Sequence, residues 1–221
     1  MSTLLLVRHG QASWGADDYD VLSETGEEQA RVLGHTLAAR GVVPDLLVHG
    51  VMKRQRETAR LIAEAARWQA VPAEDFGWDE MDHVEVLSRQ PATFTGDNPT
   101  PREFQTWFEA ATDRWAAGTF DSEYAESFPA FSARVATALQ QLTDRLGEGQ
   151  TAVVVTSGGP IARTCTELLG AGIATHKLLA AVVVNASVTK FVVGRRGTTV
   201  VSFNEHGYFE QAGRPDLITY R

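Results

Sequence analysis

Arg8 and His9 stand directly after the apolar run Leu4-Leu5-Leu6-Val7 and directly before Gly10. An imidazole in that position can serve as nucleophile, base or metal ligand. The arginine beside it narrows the choice, because a guanidinium repels a metal cation and attracts an oxyanion. A second arginine, Arg54, lies in Met52-Lys53-Arg54-Gln55-Arg56-Glu57-Thr58-Ala59. Ser157-Gly158-Gly159 precedes Pro160. A proline at the first helical position places the glycine N–H groups at a helix N-terminus, a natural anion site. Two arginines, a helix N-terminus and a histidine describe a site for a phosphoryl group. Guanidinium forks bind its spread-out charge in bidentate fashion. A neutral imidazole nitrogen can attack phosphorus in line and form a phosphohistidine. The arginines help by disfavouring a second positive charge on the ring. A carboxylic acid must then protonate the leaving oxygen and later deprotonate water. Such chemistry requires neither metal nor cofactor.

These residues sit at the ends of strands. The apolar run predicts a strand over residues 3–8, which puts Arg8 and His9 at its C-terminal end, where open α/β sheets gather ligands. Leu46-Leu47-Val48 and Thr151–Thr156 read as two further strands, followed by Arg54 and by Ser157. A helix opens at Ser23 or Thr25, with acids in its first turn and Gly41 as its stop. A basic helix runs from about Lys53 to Trp68, and another from Pro160 to about Leu169. Residues 71–100 show little periodicity. Residues 101–117 and 127–146 read as helices, and 89–146 as a helical cap. Ser187–Val193 and Thr198–Phe203 flank Arg195-Arg196-Gly197 and predict a C-terminal hairpin. The whole predicts a single α/β domain over 1–221, its mostly parallel sheet flanked by helices.

The chain has 221 residues, 43% hydrophobic and 22% charged, with a net charge of -8. That composition supports a real core. It argues against bulk nucleic-acid binding, which needs a basic surface, but leaves room for a local arginine cluster that holds a small anion. A lone cysteine, Cys165, excludes an internal disulfide and reads as a buried small residue. Neither a signal segment nor a membrane-spanning stretch is recognisable, so a cytoplasmic protein without membrane contact is expected. Leu178–Val184 reads as core or as an interface strand, the latter implying a homodimer.

Taken in order, the motifs resemble those of the histidine phosphatase superfamily, the phosphoglycerate-mutase-like proteins. Leu6-Val7-Arg8-His9-Gly10 matches the opening strand and nucleophile. Leu22–Ala30 matches the start of the first helix, with its glycine and Gln29-Ala30. Arg54 with Thr58-Ala59 matches the second arginine motif, and Asn185-Ala186-Ser187-Val188-Thr189 and Asn204-Glu205-His206 are similar to the closing segments. The resemblance implies that His9 is phosphorylated, that Arg8 and Arg54 clamp the phosphoryl oxygens, and that Glu80 is the proton donor. Asp79 and Asp82 compete with Glu80 for that role. His206 is expected to be structural.

One position departs from the family. Ser157 stands where a second histidine is usual, and a hydroxyl donates one hydrogen bond without charge. That costs ~1.5–3 kcal/mol of charge-assisted contact, or roughly ten- to a hundredfold in rate. His83 and His176 are the other histidines that could supply a donor. Ser157 also reads as a plain helix cap. It is not a nucleophile elbow, since Val155 occupies the place where that motif needs glycine. Three functions follow. The first is a phosphomonoesterase acting on a small phosphorylated metabolite through phospho-His9. The second is a cofactor-dependent mutase, disfavoured because residues 89–130 offer only Arg89, Arg102 and Arg114 among many acids and aromatics. The third is a degenerate member that binds a phosphorylated ligand without turnover.

Overall fold

The computed structural model describes residues 1–13, 18–92, 94 and 99–220. Six strands, β1 (Ser2–Arg8), β2 (Leu46–His49), β3 (Ala73–Glu74), β4 (Thr151–Thr156), β5 (Val188–Gly194) and β6 (Gly197–Glu205), form one sheet in the order β3-β2-β4-β1-β5-β6. β1, β2, β3 and β4 run parallel, while β5 pairs antiparallel with β1 and with β6. The expected hairpin is therefore present at one side of the sheet.

The middles of the central strands, Leu4–Val7, Leu46–Val48 and Ala152–Val155, are apolar without a break because both faces of the sheet are covered. Leu5, Val7, Leu47, Val153 and Val155 face helices α1 (Glu24–Ala39) and α2 (Lys53–Ala66). Leu4, Leu6, Val48, Ala152 and Val154 face α5 (Phe128–Arg145) and α6 (Gly158–Leu168). Ser23 caps α1, its hydroxyl accepting from Gly26 N at 3.1 Å. α2 ends at Ala66 rather than Trp68, because Arg67 turns left-handed at φ 56°. Trp68 then folds back, its indole N–H on Val42 O.

Residues 71–100 carry more structure than their weak periodicity predicts. They hold β3 and helix α3 (His83–Ser88), whose N-cap Asp82 accepts from Val84 N and Glu85 N. α4 (Pro101–Ala116) and α5 pack with α3 around Trp115, Phe131, Val86 and Leu87, a third core of their own. Leu178–Val184 does not form a strand. Its first five residues complete α7 (Ile173–Val182), consistent with the helix formers Ala174, Ala180 and Ala181 outweighing the valines. Among the described residues no helix is long and apolar enough to cross a membrane.

Candidate active site

The parallel strands end at one edge and deliver their next residues there together. His9 N donates to Thr156 O at 2.8 Å, so His9 lies beside Ser157 at the ends of β1 and β4. Gly10 is required by crowding: a Cβ there would sit 2.3 Å from Gly26 O at the start of α1. Thr58 ties this turn to α2, accepting from Gly10 N and donating to Arg54 O. Asn185 holds the other side, donating to His9 O at 3.2 Å. Behind it Thr219 bridges Asn185 to Gln29, whose amide oxygen accepts from Gln11 N.

His9 is 6% exposed. Its Nδ1 lies 2.7 Å from Gly10 O. A carbonyl only accepts, so Nδ1 carries the proton and Nε2 presents a lone pair. Arg54 Nε donates to that Nε2 at 3.2 Å. Burial, then the charges of Arg54 and Arg8, hold the imidazole well below its usual pKa and keep it neutral.

Arg54 is buried in the first turn of α2 and also pairs with Asp20 at 2.7 Å. Arg8 Nη1 donates to Val183 O and, at 2.6 Å, to Tyr220 O. Its guanidinium therefore anchors the C-terminal segment, with Nε on the side of Gly158.

The three carboxylates separate by environment. Asp82 is exposed and capped onto α3. Asp79 is buried and accepts from Val51 N at 2.7 Å. Burial pushes it up to about 6, against the pull of the N–H groups of Val51 and Met52 and of Arg134 and Arg54. Glu80 reaches the other way, its Oε2 accepting from Gly159 N at 2.8 Å. It thus rests on the N-terminus of α6, where the helix dipole favours negative charge.

Ser157 occupies the N-cap of α6 but makes no side-chain cap bond. Gln55 Nε2 donates to Ser157 Oγ at 2.9 Å and to Trp78 O at 3.2 Å. Trp78 O only accepts, which fixes the orientation of the amide. Ser157 Oγ is therefore an acceptor toward Gln55, and its own proton is left to point elsewhere.

The His83 ring stands 5.4 Å from that of Tyr19, and burial, then the charge of Arg54, lowers its pKa. His176 packs on Phe128, away from the strand ends, and burial followed by Arg163 lowers its pKa to about 4. His206 bonds Asn204 O. Cys165 is buried, its thiol pushed up to about 12, and so is unreactive.

Arg8, His9, Arg54, Glu80, Ser157 and Gly158 thus gather around one edge of the sheet. Sequence reading passed over Gln55 and Asp20. Gln55 had one signal, its place beside Arg54 in the first turn of α2. Asp20 had none beyond lying in the loop after the histidine.

The family model of the histidine phosphatase superfamily (branch 1) matches residues 4–206, and the chain belongs to that superfamily. It is 40% identical over 79 residues to a 2,3-bisphosphoglycerate-dependent phosphoglycerate mutase of Thermobifida fusca, covering 33% of this chain and 32% of the mutase. The match thus spans about a third of that relative. A broad-specificity phosphatase of Saccharomyces cerevisiae is 27% identical over 214 residues, 89% of this chain and 85% of that protein. A phosphoserine phosphatase of Entamoeba histolytica superposes with a TM-score of 0.68 at 20% identity, covering 94% of this chain and 99% of that one. At that identity the superposition speaks for the fold.

Proposed function

We propose that the chain is a phosphomonoesterase that cleaves a small phosphate ester through a phosphohistidine on His9. The observation that carries this is the state of His9: neutral, protonated on Nδ1, with Nε2 facing the Arg54 guanidinium. A phosphoryl group replacing Asp20 on Arg54 lies against that nitrogen. Arg8, Arg54, the Gly158 N–H and the Ser157 hydroxyl hold its oxygens, each donor aimed at charge that grows in the transition state. As Arg54 Nε turns from Nε2 to a phosphoryl oxygen, Nε2 attacks phosphorus and the P–O ester bond breaks, while Glu80 passes to the leaving oxygen a proton taken up from the bound ester monoanion. Water then attacks the phosphohistidine, Glu80 takes the water's proton, and inorganic phosphate leaves with His9 neutral again. The long alignment with a broad-specificity phosphatase supports hydrolysis over transfer. A small phosphorylated metabolite and a cytoplasmic setting complete the proposal.

The test is phosphate release from an aryl phosphate between pH 5 and 8, wild type beside His9→Ala. Release that disappears in the variant is the expected result. No release from the wild type, together with bisphosphate-primed interconversion of phosphoglycerates, would replace hydrolysis by mutase chemistry. Binding of phosphate without either reaction would leave a non-catalytic ligand site.

A further inference from the structure

A cavity of about 590 Å³ opens between α3 and α4, walled by Tyr19, His83, Val84, Leu87, Phe104 and Trp107. One ring of its wall, that of Tyr19, also reaches the phosphoryl site. Tyr19 lies over the Arg54 guanidinium at 5.6 Å and edge-on to His83 at 5.4 Å. Arg54 in turn reaches His9 Nε2. Tyr19 therefore borders both the phosphoryl site and this cavity. Ser88 completes the described lining, which contains no Lys, Arg, Asp or Glu. The described side chains there bring no fixed positive charge to a second phosphate or carboxylate. The indole N–H of Trp107 is already committed to Gln90 O at 2.9 Å, so its ring offers the cavity a face without polar demand. Phe94 braces that ring edge-on at 5.5 Å. The volume lies in the range of small-molecule sites, and aromatic walls favour a flat aromatic guest through offset and edge-to-face contacts.

Resting on the phosphomonoesterase reading, we propose that this cavity takes the alcohol portion of the substrate, and that this portion is an uncharged aromatic group. The site then selects aryl phosphates over esters that carry a second anion.

Binding separates this assignment from turnover. The probes are 1-naphthylmethylphosphonate and methylphosphonate, whose P–C bond hydrolysis does not break, titrated calorimetrically into the wild-type protein. The naphthyl compound should bind on the order of tenfold more tightly, the equivalent of one or two edge-to-face contacts. Trp107→Ala should shrink that ratio to about threefold or less by removing one such wall. Val84→Glu should do the same without threatening the fold. Val84 is 65% exposed at the rim, and a carboxylate in the first turn of α3 suits the helix dipole. Equal affinities in the wild type, or a ratio that survives both variants, would overturn the assignment. A ratio that behaves as expected in a protein releasing no phosphate from any ester would keep the cavity's ligand class and remove the hydrolytic reading.

Discussion

Gly159→Ala probes Glu80, the proposed proton donor, without removing any titratable group. A Cβ on Gly159 would lie 2.0 Å from Glu80 Oε1 and 2.9 Å from its Cδ. Ordinary contact starts near 3.4 Å, so the carboxylate must retreat by more than an ångström. The clash falls on the far end of a flexible side chain, and Gly159 does not need a left-handed backbone, so the helix itself absorbs little strain. Alanine is also a better helix former than glycine by ~0.5–1 kcal/mol, and thermal stability should hold or rise. The loss falls on the hydrogen bond from Gly159 N to a charged acceptor, ~1.5–3 kcal/mol. A catalytic group moved by that much can lose on the order of a hundredfold in rate. We expect kcat for an aryl phosphate to fall roughly ten- to a hundredfold, with KM changing far less. Gly158→Ala is the comparison, because its Cβ would meet only Ala180 O at 3.7 Å and Arg8 Nε at 3.9 Å. The readout is the ratio of the two kcat values under initial-rate conditions. Equal losses in both variants, or none in Gly159→Ala, would show that the seat on α6 does not set the position of Glu80.

Two further predictions concern pH. His176, held neutral to about pH 4, loses stability for the fold as pH falls from 6.5 through 4, since the unfolded chain takes up its proton first. The effect is on the order of 3 kcal/mol, and His176→Leu should flatten urea midpoints measured between pH 7 and 4; an unaltered slope would refute it. Asp79 has the opposite sign. Its raised value near 6 means stability present below 3.8 is lost as pH rises through 6. Asp79→Asn should therefore melt higher than wild type at pH 8 and little differently at pH 4, with phosphate release retained. Activity abolished as thoroughly as in Glu80→Gln would instead make Asp79 the acid.

The strands were legible because both faces of a parallel sheet are buried, which turns Leu4–Val7 and Ala152–Val155 into unbroken apolar runs. The ends of those runs therefore mark Arg8, His9 and Ser157 in the sequence itself. Arg54 was harder: Lys53, Arg56 and Arg60 share its composition, and only the turn of α2 decides that Arg54 is buried while Arg60 pairs on the surface with Glu57 and Glu64. The partner of Ser157 was not legible at all. Gln55 meets it across 102 positions, and only the pairing of β2 with β4 brings the two ends together. Asp20 was invisible for the same reason, since its contact depends on how a loop lies over α2. The run Leu178–Val184 misled because an apolar run of that length fits a strand or a helix end alike, and here it closes α7 with Leu178 and Val182 exposed and only Val183 and Val184 buried.

Against the histidine that the family resemblance implies at this position, Ser157 changes the charge balance of the site as well as one hydrogen bond. One group assigned to phosphate already holds a carboxylate, since Asp20 sits on Arg54. A phosphate dianion that takes that place exchanges an ion pair rather than creating one. A second histidine cation would raise the net attraction for substrate, and equally for inorganic phosphate. A serine fixed by Gln55 offers a directed donor with no added charge and lets the displaced Asp20 compete for its place on Arg54. In the proposed cycle that competition favours release of product. It also leaves the selection of substrate to the cavity beyond Tyr19, whose apolar walls gain nothing from phosphate alone.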